Sequence, residues 1–235
     1  MSVTQITVYN NSRFRAAVVV FAIVLGSLAI WVLAAETVRP PIIGFTTDPQ
    51  SAALSYQHRD AAIAAARIGL VRGDLWSEAA FTYGNMLWSE DNTATNAERA
   101  PIEQSRAVAE LAIAYAPYDA RLWLVLAANY FRSEGLNERA SASLKMSYYT
   151  GSNTIEIVPK RLLLALQSQA LADEEFQALV RHDIRLAVIR RAELMPALIV
   201  AYSHAPGAGR EFVEKTLTEL DPGMLAAIRS HGQRN

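Results

Sequence analysis

The feature that most constrains the fold is a pair of apolar helical patterns that meet at a single proline within residues 106–130. Pro117 disfavours helix at the residue before it, and Asp119 is a suitable N-cap for a second helix. Apolar residues recur at three- to four-residue spacing in both patterns. They are Val108, Leu111, Ala112 and Tyr115 in the first, and Leu122, Trp123, Leu126, Ala127 and Tyr130 in the second. We therefore predict a helical hairpin whose two apolar faces pack against each other.

One hairpin buries too little apolar surface to be stable alone, so the pattern has to recur along the chain. The first-helix spacing of Trp123, Leu126, Ala127 and Tyr130 is repeated upstream by Trp76, Ala79, Ala80 and Tyr83. The second-helix positions are small or apolar in both units: Ser105, Ala109 and Ala112 in one, and Ala140, Leu144 and Ser147 in the other. No run of alternating apolar and polar residues is long enough to predict a strand, so the expected fold class is all-α.

This combination of spacings resembles the tetratricopeptide repeat (TPR), a helical hairpin of about 34 residues. The resemblance covers residues 52–222, and Pro117 lies where such repeats end with a proline. It implies an α-solenoid of about four TPR-like hairpins, which would present a surface for a protein or peptide partner. The expected repeat-core residues are Trp76, Ala80, Tyr83, Ala112, Pro117, Trp123, Leu126, Ala127, Tyr130, Ala140 and Leu144.

The pattern is less regular outside the two best units. Asp60–Leu70 is predicted as the second helix of an incomplete hairpin that begins near Ala52. A polar insertion over residues 89–101 separates the two helices of the first full unit. The spacing weakens over residues 164–178 and recovers in part over residues 198–220. Degenerate terminal units of this kind are typical of the caps of a repeat array.

Residues 16–35 form an uncharged apolar run near the N-terminus. As a helix this run is about 30 Å long, close to the hydrocarbon thickness of a bilayer. We therefore predict a transmembrane helix that acts as a signal anchor. A cleaved signal peptide is the alternative, with residues 1–34 removed at Ala35, but the apolar run is longer than the core of about 7 to 15 residues that such signals have.

The charges that flank this run predict its orientation. Arg13 and Arg15 precede it without any acidic residue, whereas Arg39 follows it in company with Glu36. Because basic residues favour the cytoplasmic side, we expect a single-pass protein of the inner membrane, with a cytoplasmic N-terminus and a periplasmic C-terminal domain. The expected organisation is a tail at 1–15, the transmembrane helix at 16–35, a Pro-rich linker at 36–50, the repeat domain at 51–222, and a short helix and tail at 223–235.

The sequence offers no recognisable catalytic, cofactor or metal site. Cysteine is absent, and the four histidines lack the paired spacing of zinc ligands. His182-Asp183 is the one close His–carboxylate pair, and we interpret both residues as solvated because adjacent helix positions do not face each other. We therefore expect no enzyme activity, no cofactor and no metal. The formal net charge of −1 argues against nucleic-acid binding.

Four other groups of residues could be mistaken for binding sites, and for each of them we prefer a structural interpretation. Asp173-Glu174-Glu175 suits the start of a helix, and Pro206–Arg210 suits an inter-helix turn better than a phosphate-binding loop. The arginines at 181, 185, 190 and 191 indicate a solvated face, with an acidic partner or lipid head groups as the alternative. Tyr148, Tyr149 and Met146 fit core packing at a repeat junction, with a binding groove as the alternative.

Three functions are compatible with these features. The first is a membrane-anchored interaction scaffold that assembles or maintains a complex of the bacterial cell envelope. The second is a structural or accessory subunit that packs through its transmembrane helix, where Ala22, Gly26 and Ser27 are small enough for close contact. The third is an enzyme with a site that the sequence does not reveal. The sequence favours the first over the second and both over the third.

Overall fold

The computed structural model describes residues 3–41, 49–88, 96–135 and 137–232, and this part of the chain is helical with no strand. The all-α fold class is thereby confirmed. Twelve α-helices lie in the described ranges: α1 Val3–Val38, α2 Pro49–Gln57, α3 Arg59–Gly69, α4 Gly73–Gly84, α5 Asn96–Tyr115, α6 Ala120–Glu134, α7 Glu138–Thr150, α8 Val158–Ala165, α9 Glu174–Ile189, α10 Arg191–His204, α11 Gly207–Leu220 and α12 Pro222–Gly232. Short 3-10 helices span Asn85–Trp88, Ile155–Ile157 and Gln169–Ala172.

The predicted hairpin corresponds to α5 and α6, and its turn forms as the sequence indicates. The carboxylate of Asp119 accepts a hydrogen bond from the backbone N–H of Arg121 at 3.0 Å and so caps α6. At the other end of α6, Gly135 ends the helix with a φ of 78°, a conformation that glycine adopts without strain. The prediction that Asp119 is an N-cap is therefore confirmed.

The buried face of α5 differs from the predicted stripe. Ser105, Ala109 and Ala112 are buried, whereas Leu111 and Tyr115 are exposed. The reason is that α5 packs against α4 as well as α6, and small side chains occupy the close crossings. The ring of Tyr115 stacks on Trp76 of α4, with centroids 5.2 Å apart and planes 7° apart. The prediction that Leu111 and Tyr115 face α6 is wrong.

Helix α6 lies at the centre of the first half of the domain. It contacts α4, α5, α7 and α8, so residues on nearly all of its sides are buried. Leu124 and Val125 are fully buried although they lie outside the predicted stripe, while Trp123 and Tyr130 inside that stripe are only half-buried. A helix surrounded by neighbours needs apolar residues all round, which a single-stripe pattern underestimates.

From α3 to α7 each helix packs against the next one in the chain, whereas α10 contacts several of the later helices. In the first half α3 contacts α4, α4 contacts α5, α5 contacts α6, and α6 contacts α7. In the second half α10 contacts α8, α9, α11 and α12. The predicted helix at 60–70 corresponds to α3, and the predicted C-terminal helix corresponds to α12.

Three inter-helix turns lie side by side at one edge of the domain. The backbone of Gly73, after the α3–α4 turn, lies against Tyr115, and a Cβ at Gly73 would be 2.7 Å from the Tyr115 carbonyl oxygen. Gly151, in the α7–α8 turn, lies against Ala120, and its Cβ would be 2.4 Å from the Ala120 Cβ. We call the residues at 70–73, 115–120 and 151–154 the turn edge.

Some predicted segments fall partly outside the described residues. Of the predicted linker, residues 42–48 lie outside them, and α2 begins at Pro49. Of the predicted polar insertion, residues 89–95 lie outside them, and the remainder is helical because α5 begins at Asn96. Residues 1–2 and 233–235 of the predicted N- and C-terminal tails also lie outside.

Candidate functional site

The apolar part of α1 projects from the domain. From Phe14 to Ile30 its side chains are exposed, including five valines and isoleucines in the stretch Val18–Val24. Among the described residues, Ser12–Val38 is the one helical segment long and apolar enough to cross a membrane. Because so large an uncovered apolar surface is not stable in water, this helix is the first part of the candidate site.

The last turns of α1 are packed against α3. The indole Nε1 of Trp31 donates a 2.6 Å hydrogen bond to the Ile68 carbonyl oxygen, and Ala35 is fully buried. The indole therefore satisfies its own donor and one of the carbonyls at the C-terminal end of α3 that lack an intrahelical partner. The junction begins at Trp31, the first half-buried side chain of the apolar run, while Val32 and Leu33 are still exposed.

Charged side chains at and directly after the C-terminal end of α1 reinforce this junction. Arg39 donates from Nε to Oε2 of Glu78 on α4 at 2.7 Å and from Nη1 to Glu36 at 3.0 Å. The Nη2 of Arg72 lies 2.6 Å from Oε1 of Glu36 and 2.6 Å from Oδ2 of Asp74. The Arg72 guanidinium holds the pKa of the Asp74 carboxyl below its usual range, and Glu78 raises the pKa of Arg39. We call these five residues the junction network.

The junction changes the interpretation of the predicted linker at 36–50. Glu36 and Arg39 are bound to the domain, so the start of this segment does not separate α1 from the helical domain as an extended tether would. The sequence did not show this because the partners, Arg72 and Glu78, lie more than thirty residues further along the chain. A signal was present only in the charge of Glu36 and Arg39 directly after an uncharged run.

The predicted repeat-core residues are distributed over α4 to α7. Eight are buried: Trp76, Ala80, Tyr83, Ala112, Leu126, Ala127, Ala140 and Leu144. Trp123 and Tyr130 are half-buried, and Pro117 is exposed in the α5–α6 turn.

The two tryptophans of the predicted repeat core, Trp76 and Trp123, make matching hydrogen bonds. The indole of Trp76 donates to the Leu70 carbonyl oxygen at 2.6 Å, and that of Trp123 donates to the Pro117 carbonyl oxygen at 2.7 Å. In both cases the acceptor lies six residues before the tryptophan. Each tryptophan thus ties the first helix of its hairpin to the preceding turn.

A second polar site, which the sequence did not indicate, lies inside the later half of the domain. Arg161 on α8 and Asp183 on α9 are both 0% exposed and form a bidentate ion pair, with Nε–Oδ2 at 2.7 Å and Nη2–Oδ1 at 2.6 Å. Arg161 also donates to the Gly151 carbonyl oxygen at 2.9 Å, and its guanidinium carbon lies 4.2 Å from the centroid of the Tyr148 ring. The interpretation of Asp183 as a solvated residue is therefore wrong.

The surroundings of this pair are those of a structural cluster. Tyr148 packs edge-to-face on Phe176, with centroids 5.7 Å apart, and burial raises the pKa of its hydroxyl well above the usual value. Burial also raises the pKa of Asp183, and the Arg161 guanidinium opposes that rise. No substrate reaches atoms with no exposed surface. The ion pair instead ties α7, α8 and α9 together, and sequence reasoning missed it because its two members are 22 residues apart.

The other candidate groups have ordinary structural roles. Asp173 accepts a hydrogen bond from the Glu175 N–H at 3.0 Å and caps α9, which confirms the predicted helix start. Of the 206–210 segment, which was predicted as an inter-helix turn, only Pro206 lies between α10 and α11, and residues 207–210 form the first turn of α11, with Gly209 packed against the Leu166 carbonyl oxygen. In the predicted basic cluster Arg191 is paired with Asp221. Tyr148 is in the core and Tyr149 is exposed.

Two further comparisons concern metals and known proteins. Across the described ranges, His, Asp and Glu side chains form no group of three or more that could hold a metal ion. The chain matches no protein-family model, no curated protein and no solved structure. The function is therefore argued from the geometry of the junction and of the helical domain.

Proposed function

We propose that this chain is a membrane-anchored scaffold whose helical domain, built from TPR-like hairpins, binds a protein or peptide partner at the extracytoplasmic side of the inner membrane. The observation that carries the proposal is the attachment of α1. From Trp31 onward this apolar helix is attached to the domain, first through the Trp31 indole and then through the junction network. A single helix thus serves both as the anchor and as part of the folded domain.

The repeat interpretation is supported by matching features of two hairpins. The indoles of Trp76 and Trp123 each donate to a carbonyl oxygen six residues earlier, and Ala80 and Ala127 are both fully buried one turn after them. Small residues at these crossings let neighbouring hairpins approach closely, as a stacked array requires. The chain-order packing of α3 to α7 is what a solenoid would produce.

An assembly role in the envelope follows from the combination of anchor and array. A stacked array offers an extended surface for a peptide or for a helix of another protein, and the anchor would keep that surface beside the membrane. The positive charges of Arg13 and Arg15 support a cytoplasmic N-terminus and hence an exported domain.

The second candidate function is an accessory subunit that packs through α1. Its support is the open space around Gly26, which has no heavy atom within 4 Å of an added Cβ, and the exposure of Ala22 beside it. The Ser27 hydroxyl donates a 2.9 Å hydrogen bond to the Ile23 carbonyl oxygen, so it needs no partner outside the helix. The face formed by these small residues is therefore available to a neighbouring helix.

Site-specific photocrosslinking in native membranes separates the two candidates. A photoreactive phenylalanine analogue would replace Tyr149 or Ile189, which are exposed on the domain, or Gly26 on α1. The scaffold function predicts a discrete protein adduct from at least one domain position. Adducts from Gly26 alone would instead support the accessory-subunit function. The absence of adducts at all three positions would contradict both.

A further inference from the structure

We propose that the turn edge of the domain rests in the interfacial layer of the bilayer beside α1, with Leu70 and Val71 inserted among the lipids. The inference rests on the proposed membrane-spanning role of α1 and adds a second lipid-binding element next to it. It also fixes the orientation of the domain, because a single helix can tilt in the bilayer and carry the attached domain with it.

The order of contacts along α1 places the α3–α4 turn on the membrane side. The Trp31 indole donates a hydrogen bond to Ile68, the penultimate residue of α3, whereas Arg39, the residue directly after α1, donates to Glu78 in the middle of α4. Helices α1 and α4 therefore run in the same direction, away from the exposed apolar run. The turn that precedes α4 faces back toward that run.

The length of α1 places Trp31 near the bilayer surface. A hydrocarbon core of about 30 Å takes about 20 helical residues, so a span that begins at Ala16 ends near Ala35 and places Trp31 about one turn inside its outer end. Arg15 and Glu36 are the charged residues that directly flank this span. The run is thus bounded by charged residues at both ends, with a tryptophan close to its outer end, as in many transmembrane helices.

The turn at this level carries two exposed apolar side chains. Leu70 is 59% exposed and Val71 is 71% exposed. Single exposed apolar residues are common on protein surfaces, but these two are adjacent and lie beside the end of an exposed apolar helix. The turn is also held in place, because the Trp76 indole donates a 2.6 Å hydrogen bond to the Leu70 carbonyl oxygen. A fixed apolar turn next to a membrane helix is suited to interfacial insertion.

Neighbouring residues extend this surface with side chains that suit the interface. Tyr118 is 85% exposed in the α5–α6 turn, which adjoins the α3–α4 turn through the contact of Gly73 with Tyr115. Tyrosine is enriched at the level of the lipid head groups. Arg67 is exposed in the last turn of α3, where its charge suits lipid phosphates.

The opposite edge of the domain has a different character. Helix α6 separates the two edges by about 22 Å. Among the described residues of the α6–α7 turn and its flanks, Glu134, Glu138 and Arg139 are exposed and charged. The α3–α4 turn, with Leu70 and Val71 exposed, thus differs from the charged α6–α7 turn, as expected of a domain whose α3–α4 turn lies in lipid and whose α6–α7 turn lies in water. Continuity with α1 favours lipid over a protein partner as the occupant of the turn edge.

Fluorescence quenching in reconstituted vesicles tests the inference. The chain has no cysteine, so Leu70→Cys and Val71→Cys each provide one site for an environment-sensitive fluorophore. The full chain is reconstituted in vesicles of phosphatidylcholine and phosphatidylglycerol, with lipid-attached nitroxide or aqueous iodide as quencher. Val20→Cys on α1 is the control for hydrocarbon, and Glu138→Cys is the control for water. Helical circular dichroism checks that each variant is folded.

We expect nitroxide at the head-group level to quench the fluorophores at positions 70 and 71 several-fold more than the one at Glu138→Cys, and iodide to quench them less. If both turn positions behave as Glu138→Cys does while Val20→Cys is quenched by lipid, the inference fails and the anchor stands. Protection of both turn positions from both quenchers would mean that protein covers the turn edge, which also overturns the inference. Quenching of Val20→Cys by iodide alone would overturn the anchor itself.

Discussion

Breaking the buried ion pair between Arg161 and Asp183 should destabilise the domain far more than breaking an ion pair on its surface. Both side chains are 0% exposed, and the guanidinium directs two hydrogen bonds of 2.7 and 2.6 Å at the carboxylate. Asp183→Ala leaves the Arg161 guanidinium fully buried without its carboxylate partner. Removing one partner of such a pair costs about 3–5 kcal/mol, and we expect a value in this range.

The double variant Arg161→Met/Asp183→Leu separates the charge effect from the loss of packing. It leaves no uncompensated charge, and apolar replacement of a whole buried pair is often neutral or stabilising. The carbonyl oxygens of Gly151, Ser147 and Ser152, which accept hydrogen bonds from Arg161, would lose a partner, so we expect a residual cost. The double variant should therefore be more stable than Asp183→Ala.

The single variant Arg161→Met should show a pH-dependent loss of stability. Burial already raises the pKa of Asp183, and Arg161 opposes that rise. Without Arg161 the folded-state pKa rises further above the unfolded value of about 3.9, so the folded state binds the proton more tightly. Stability relative to the parent is then best below that unfolded value and falls as the pH rises through the folded-state pKa.

Urea unfolding of the full chain in detergent micelles, followed by circular dichroism at several pH values, measures these differences. Arg191→Met is the matched control, because Arg191 is exposed and its partner Asp221 is only half-buried. Its cost should stay within about 1 kcal/mol. If Asp183→Ala unfolds within the same margin of the parent, the buried pair does not hold α7, α8 and α9 together and the reasoning is refuted.

Two further substitutions have matched controls within the chain. Gly209→Ala should cost about 1–3 kcal/mol, because the new Cβ would be 2.1 Å from the Leu166 carbonyl oxygen, whereas Gly207→Ala meets nothing within 4 Å and should stay near the parent in the same unfolding assay. Trp76→Ala should cost about 3–5 kcal/mol because its ring is buried, and Trp123→Ala should cost less because its ring is half-exposed; equal costs would contradict this ranking.

The sequence predicted the local features well because local physics determines them. The capping of α6 by Asp119, the start of α9 at Asp173 and the apolar character of α1 each depend on residues within one or two helical turns. Apolar spacing also located most of the helices. Apolar spacing was less reliable in predicting which side of α5 faces α6, because Tyr115 stacks on Trp76 of α4 and does not pack against α6.

The features that the sequence did not reveal all depend on partners distant in the chain. The attachment of Arg39 to Glu78 spans 39 residues, and the Arg161–Asp183 pair spans 22. No local periodicity predicts which charges meet in three dimensions, because each is equally acceptable on a solvated helix face. The position of the exposed Leu70 and Val71 beside α1 likewise depends on distant residues, because it is set by the packing of α3 against α1.

Sidedness of labelling tests most directly whether α1 crosses the membrane and places the domain on the far side. Ser12→Cys lies before the apolar run and Glu138→Cys lies on the domain, and each provides the only thiol in its variant. Spheroplasts that express either full-length variant are treated with a maleimide that does not cross membranes. The account predicts that Glu138→Cys is labelled in intact spheroplasts and Ser12→Cys only after lysis. Labelling of both positions before lysis, or of neither, would contradict it.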